Sequence, residues 1–211
     1  MKLDLPKIPY DLPSKNFQDI LYEEDPELEI CVINDSHFAN EELVRARLSQ
    51  MEVKNSKFNN TNFSKIDITD VLFENCDFSN VNMSSSSIHR TVFKNCKLLG
   101  VDFTESRFKN IEFDNSVLNL ATFGNSKLEK VIFQETSLAS SDFFDCTFKN
   151  LEFQKCNLDR ANFENTSLKG IDISSSTFDS LTVSLEDLNG CKVSTFQAIQ
   201  FASLIGLVIT D

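Results

Sequence analysis

Every fifth residue from position 48 to position 183 is large and apolar, 28 positions in succession without a slip. The series opens Leu48, Val53, Phe58, Phe63, Ile68 and closes Leu168, Ile173, Phe178, Val183. With Phe38 just upstream, 16 of the 20 Phe lie in this register, while Trp is absent and Tyr occurs twice, so phenylalanine has one recurring structural job. Two residues before each large residue lies a second set, Ala46, Met51, Ser56, Thr61, Ile66 and onward to Leu181, none of them charged and none Asn, Gln, Gly or Pro. The other positions of each pentad are rich in Asn, Asp, Glu, Lys and Ser. A period of five matches neither the 3.6 of a helix nor the 2.0 of a strand, so either element would carry the Phe stripe out of any core. The chain must therefore turn once per pentad. A small inward residue, an outward one and a large inward one make a very short strand, and two further residues make the corner. Successive coils then pair their backbones at about 4.8 Å, which satisfies buried amides in a narrow solenoid.

Segments such as CDFSN (residues 76–80), VDFTE (101–105) and ANFEN (161–165) resemble the A(D/N)LXX unit of the pentapeptide repeat proteins, over about two thirds of the chain. The resemblance implies an all-β fold, a right-handed quadrilateral β-helix with four pentads per coil. Twenty-eight pentads would make seven coils, or about 34 Å of rod at the strand spacing. The C-terminal run FQAIQFASLIGLVIT (196–210) resembles the dimerisation tail of the Qnr and MfpA branch, especially Gram-positive Qnr-like proteins, and LKGIDISSSTF upstream is similar to that branch as well. This implies a homodimeric rod that mimics duplex DNA, interacts with DNA gyrase or topoisomerase IV, and lowers fluoroquinolone susceptibility. Gram-negative Qnr proteins carry projecting loops that contribute to gyrase protection, whereas this register is uninterrupted over 48–183. Any protection must come from the faces and the dimer, and a repeat scaffold or regulator with another protein partner stays open as the alternative.

The ends read differently. Residues 1–41 carry ten acids, three Lys and all four Pro, and are expected to form an extended lead-in and cap; the β-helix is expected over 42–193 and a C-terminal helix and dimerisation strand over 194–211. Glu41 and Glu186 fall in the small inward phase, so the stack should be modified or stop near each. Ser194 or Thr195 can N-cap a helix, Phe196, Ile199, Ala202 and Ile205 recur at helical spacing, and Gly206 suits its C-cap. A solenoid needs its last coil covered, and a tail this apolar should bury itself against a second copy. The expected twofold interface uses Phe196, Ile199, Phe201, Leu204, Ile205, Leu207, Val208 and Ile209.

All six Cys, at 31, 76, 96, 146, 156 and 191, fall in the small inward phase. Cys76 and Cys96, one coil apart, would lie within disulfide reach, but free thiols packed as small hydrophobes are the expectation. His37 and His89 are isolated and outward, so no metal site or other cofactor is expected. Acids at regular outward positions with no inserted loop build no concave pocket, which argues against an enzyme. The formal charge of −12 argues against direct nucleic-acid binding, because phosphates are met mainly by Lys and Arg. No apolar run approaches the roughly 20 residues of a membrane span, and the opening MKLDLPKIPYD lacks a signal-peptide core. The expected location is the cytoplasm.

Folding the outward charges by 20 residues over 42–195 separates the faces. The face of Phe63, Phe103 and Phe143 has two bases against six acids, and that of Phe73, Phe113 and Phe153 four against seven. Between them, the face of Phe108 and Phe148 has eight bases, among them Arg90, Lys109 and Lys149, against four acids; the fourth face balances three against three. Faces with so few charges also fluctuate this much by chance. The functional expectation is that Asp102, Glu105, Asp142, Asp145 and Glu164, with Phe144 projecting among them, form the partner-binding face, and that the row of Glu112, Asp114, Glu135 and Glu152 is the next candidate.

Overall fold

The computed structural model describes residues 1–202, 204 and 206–210. It winds the chain into the expected four-sided β-helix, of about eight turns. Two sides carry the long strands β3 (Arg47–Lys54), β4 (Asp67–Glu74), β5 (Ser87–Lys94), β6 (Arg107–Asp114), β7 (Lys127–Gln134) and β8 (Thr147–Gln154). Each pairs in parallel with the strand 20 residues on, so that Leu48, Ile68, Ile88, Phe108, Leu128 and Phe148 stand in one line. The other two sides are held by single bridges, such as Lys57 with Asp77 and Asn82 with Asp102. The register continues upstream of residue 42: β1 (Glu27–Glu29) and β2 (Val32–Asn34) both pair with β3. Glu41 is exposed where the stack runs past it, and near Glu186 the coil gives way to consecutive turns.

The corners explain the composition. From position 30 to 170 every fifth residue has a positive φ, between 43° and 82°. This left-handed conformation disfavours β-branched and bulky residues, and Asn adopts it more readily than most. Asn accordingly fills many corners, and its amides stack into ladders: Asn60 Nδ2 donates to Asn40 Oδ1 at 3.1 Å, Asn80 to Asn60 at 3.2 Å and Asn115 to Asn95 at 2.8 Å.

Inside, Phe93, Phe113, Phe133 and Phe153 stack at 5.0 to 5.3 Å between ring centres. A second column, Phe103, Phe123, Phe143 and Phe163, stacks at 4.7 to 5.3 Å, and the columns meet edge to face, the geometry favoured by the aromatic quadrupole. The small inward residues satisfy backbone groups that the turning chain leaves over. Ser126 Oγ donates to Phe103 O at 2.8 Å and accepts from Ser106 N at 2.9 Å; Thr136 Oγ1 donates to Phe113 O at 3.0 Å. Cysteine takes the same place, Cys146 Sγ donating to Phe123 O and Cys156 Sγ to Phe133 O. Ser, Thr and Cys thus interchange at this phase because each is small and can donate. All six thiols are free, and burial pushes Cys146 up to about 12 and Cys156 to about 11.

Each open end has its own plug. A 3-10 helix over Phe17–Tyr22, capped reciprocally by Asn16 and Asp19, drives the fully buried Phe17 against Phe38 and Phe58, both at 4.8 Å. At the other end β9 (Ala161–Asn162) pairs with β10 (Leu181–Thr182), and helix α1 (Thr195–Ala202) closes the rod. Ser194 is the N-cap: its Oγ accepts from Gln197 N and its own amide donates to Gln197 Oε1. Gln197 is the buried residue of α1, and its Nε2 donates to Ile173 O and Ser176 O; Gln200 Nε2 donates to Phe178 O. The expected strand at Leu207, Val208 and Ile209 is not formed within the chain, since those residues pair with no other strand among the described residues. A strand needs a second backbone, and a single chain offers none there.

Candidate partner-binding surface

The six residues singled out from the sequence share one side of the rod. Asp102 and Asp142 are half-buried, Glu105, Asp145 and Glu164 are exposed, and Phe144 is 37% exposed. Their local conformations are set by the corner chemistry. Asp102 Oδ1 accepts from Thr104 N at 2.9 Å and from Thr122 Oγ1 on the next coil at 3.2 Å. Asp142 Oδ1 accepts from Phe144 N at 3.0 Å and Asn162 Nδ2 at 2.8 Å, which fixes the turn that pushes Phe144 outward. Glu105 takes a hydroxyl bond from Ser85 at 3.2 Å. None of the five carboxylates pairs with a cation among the described residues.

The other acidic face differs. Glu135 is bridged by Lys155 at 3.0 Å, Glu52 by Lys54 at 2.7 Å and Glu74 by Lys94 at 3.5 Å, while Glu152 meets the amino group of Met1 at 2.6 Å. Burial holds Glu112 above the usual carboxylate range, and neighbouring Asp114 adds to the effect. The basic stripe is largely neutralised as well. Glu129 lies 3.6 Å from Lys109 and 3.4 Å from Lys149, Lys130 reaches Asp4 at 3.6 Å, and Arg90 forks onto Asp70, with Nη2 to Oδ2 at 2.6 Å. Asp70 is 5% exposed; burial alone would raise its pKa, but Arg90 and the Lys7 amide outweigh that and hold it low. Of the two acidic faces that look alike in sequence, the Glu112 face holds four of its seven acids in ion pairs and leaves Glu112, Asp114 and Asp172 without one, whereas among the described residues none of the five acids around Asp102 and Asp142 is paired.

No motif or repeat marks the segment that lies against these charges. Residues 1–8 lie along the corner between the basic stripe and the Glu112 face, tied by Asp4 N to Asn110 Oδ1 at 3.2 Å and by Lys7 N to Asp70 Oδ1 at 2.9 Å. The only visible signals were the prolines at 6 and 9 and the absence of the pentad register.

At the C-terminal end Phe196, Ile199, Leu204, Leu207, Val208 and Ile209 are all exposed, at 42 to 85%. Phe201 instead packs on Phe178 at 5.3 Å as part of the plug, and Ile205 lies outside the described residues. A shallow apolar cavity of about 320 Å³ opens beside α1, lined by Leu185, Leu188, Cys191, Val193, Ala198 and Phe201. Among the described residues no group of His, Cys, Asp and Glu is placed to hold a metal ion, and no helix is long and apolar enough to cross a membrane.

Comparison with known proteins agrees with the geometry. Residues 66–143 match the model of the pentapeptide repeat region and residues 141–179 that of the pentapeptide repeats in eight copies. Among solved structures the chain is similar to HetL of the cyanobacterium Nostoc sp. strain PCC 7120, a pentapeptide repeat protein involved in heterocyst differentiation regulation. The identity is 15% with a TM-score of 0.69, covering 85% of this chain and 91% of HetL. It is also similar to full-length QnrB1, a plasmid-mediated fluoroquinolone resistance protein, at 20% identity and a TM-score of 0.50, over 83% of this chain and all of that one. At these identities the likeness is one of fold. No curated protein matches the sequence. With two repeat models together spanning more than half of a chain whose every coil obeys the five-residue register, the protein belongs to the pentapeptide repeat family.

Proposed function

We propose that this protein is a DNA-mimicking rod that binds a type II topoisomerase, DNA gyrase or topoisomerase IV, through the face of Asp102, Glu105, Asp142, Asp145 and Glu164. The observation that carries the reading is that all five acids of this row are unpaired among the described residues, while four of the seven acids of the opposite face and five of the eight bases of the stripe are held in ion pairs. Five carboxylates on a stretch of four coils amount to about one charge per 4 Å of rod, at about 4.8 Å per coil. One DNA strand presents a phosphate about every 3.4 Å. A positively charged DNA channel therefore meets a similar linear charge density, and such a field steers and orders the encounter. Phe144, held outward by Asp142, adds an apolar anchor to the row. The fold likeness to QnrB1, a fluoroquinolone resistance protein, fits this reading.

The protein is further proposed to act as a homodimer, because the exposed apolar residues of the tail gather at one end of the rod beside the apolar cavity, and a self-complementary twofold contact would cover both. Leu207, Val208 and Ile209 would find in the second copy the backbone partner they lack.

The test is a supercoiling and cleavage assay with purified gyrase, with and without ciprofloxacin, using the parent and the triple variant Asp102→Asn, Asp142→Asn, Asp145→Asn. Asn keeps an acceptor for each Asx turn, so the fold should survive and binding should weaken. Tight binding by the triple variant at low salt would remove this face from consideration. A second reading is a repeat scaffold or regulator of another protein, favoured by the loop-free rod and the higher structural similarity to HetL; absence of any effect on gyrase would select it.

A further inference from the structure

The arm of residues 1–8 sits on the rod in a definite register. From Asp4 to Lys7 the chain advances three residues while its anchors step from Asn110 to Asp70, two coils. From Met1 to Asp4 it again advances three residues, from the coil of Glu152 to that of Asn110. Three residues of polyproline-type chain rise about 9.3 Å, and two coils rise about 9.6 Å. An extended, proline-containing segment thus meets the same corner position on every second coil without accumulating error, and Pro6 and Pro9 favour that conformation. Leu3, Pro6 and Ile8 are the arm's half-buried residues.

Outward positions two residues past this corner are apolar: Leu72, Val92 and Ile132. Ile132 is only 8% exposed, whereas Val117 and Leu120, outward on the uncovered neutral side, are 40% and 58% exposed. Of the arm's charged side chains, Asp4 is the one that meets an ion-pair partner on the rod among the described residues, Lys130 at 3.6 Å. Recognition of the backbone runs through amides, which any chain of the same rise could offer. Past Glu152 the groove continues into a cavity of about 500 Å³ lined by Gln154, Asp172, Ser174, Ser175 and Lys192, beyond the reach of most of the arm.

We propose that this corner groove is a binding site for an extended, proline-containing segment of a partner protein, with apolar residues spaced as Leu3, Pro6 and Ile8 are, and that the chain's own arm occupies it as a built-in competitor. The site is separate from the Asp102 face and does not depend on the topoisomerase reading.

The experiment uses the full chain and a fluorescein-labelled peptide of sequence KLDLPKIPYD as probe, with binding read by anisotropy. The double variant Leu3→Asp, Pro6→Asp releases the arm without touching the core. Because a tethered competitor acts at a local concentration of roughly millimolar, the released variant should bind the peptide at least about tenfold more tightly than the parent. Adding Ile132→Asp to the released variant should abolish binding, and a peptide with its Leu and Pro positions permuted should bind neither protein. No saturable binding to the released variant, or equal binding to both, would overturn the proposal. Hydrogen exchange on the parent gives an independent reading: the Asp4 and Lys7 amides should exchange at least about tenfold more slowly than in the free peptide, and exchange at the free rate would overturn it too. If parent chains instead associate in a manner lost on releasing the arm, the groove belongs to a second copy, and the partner assignment is wrong.

Discussion

Phe143 and Phe144 are consecutive residues of one type, and the fold assigns them opposite roles. Phe143 is fully buried, stacked between Phe123 at 4.7 Å and Phe163 at 5.2 Å, with Phe133 and Phe153 edge-on at 6.1 Å. Replacing it by Ala empties one layer of a column whose rings above and below are held by their own coils. Truncating a buried Phe costs about 3–5 kcal/mol, and the upper part of that range applies where neighbours cannot collapse. Phe144→Ala removes a ring that already meets solvent, so its cost should stay below about 1 kcal/mol. For a chain of this size each kcal/mol moves the melting midpoint by about 2–4 °C, so the two variants should separate by roughly 10 °C. Urea unfolding followed by circular dichroism supplies the free energies, provided the slope is unchanged. Phe144→Ala should also weaken gyrase binding while Phe143→Ala, where folded, should not. Equal destabilisation by the two changes would mean that the five-residue phase does not decide burial, and would refute the reasoning from register to core.

Gly100 holds φ at +65° and an added Cβ would lie 2.9 Å from Asn80 Oδ1, whereas Gly170, at +82°, has nothing within 4 Å; Gly100→Ala should therefore destabilise by about 1–2 kcal/mol and Gly170→Ala by less, measured by the same melts. Gln197→Ala leaves the carbonyls of Ile173 and Ser176 without their donor, and should cost about 1–3 kcal/mol, with fraying at the C-terminal coils visible by hydrogen exchange. Truncation after Thr195 should convert a dimer into a monomeric or aggregating rod in sedimentation; an intact chain that sediments as a monomer at micromolar concentration would contradict the dimer. Because Asp70 has a depressed pKa in the folded state, its contribution is complete above the unfolded value near 3.9 and is lost as pH falls through the folded one. The Arg90 and Lys7 contacts should fail only once the pH has fallen through the folded value, which lies below about 3.9, with exchange at the Lys7 amide rising before the coils unfold.

The register of the core was readable because a period of five has only one way to keep Phe inside, and the same phase placed Thr136, Cys146 and Thr166 as the small inward donors. The corners were readable only in part: two residues per turn follow from the period, but that the fifth of each pentad is left-handed shows in the sequence only as the recurrence of Asn at positions such as 55, 60, 75 and 80. A cap at each end was legible, but the side chain that seats it was not, because each plug turns on one residue that stands outside any repeating pattern. Phe17 looks like any Phe in an acidic lead-in, and Gln197 looks like a polar residue on an apolar helix until the open carbonyls of the last coil give it two acceptors. The difference between the acidic faces was invisible for the same reason. Folding the sequence by 20 counts charges on a face, but it cannot tell that Lys155 reaches Glu135, or that residues more than a hundred positions upstream lie across Glu112 and Glu152.

That last point bears on how a loop-free rod acquires specificity. Its four sides are built from one repeating unit, and backbone pairing fixes their geometry, so no side can form a deep pocket. What can differ between sides is which charges remain available. Here Glu–Lys pairs, most of them one coil apart, and the arm laid along one corner tie up part of the charge on two neighbouring sides and leave the acids of a third unpaired. A net charge of −12 thus becomes directional, and the surviving row lies next to an outward Phe rather than spread evenly round the rod. A partner carrying a positive channel would meet a row of unpaired acids on one side of the rod and a partly paired set on the side opposite. Orientation then follows from which acids are left unpaired, with no need for projecting loops.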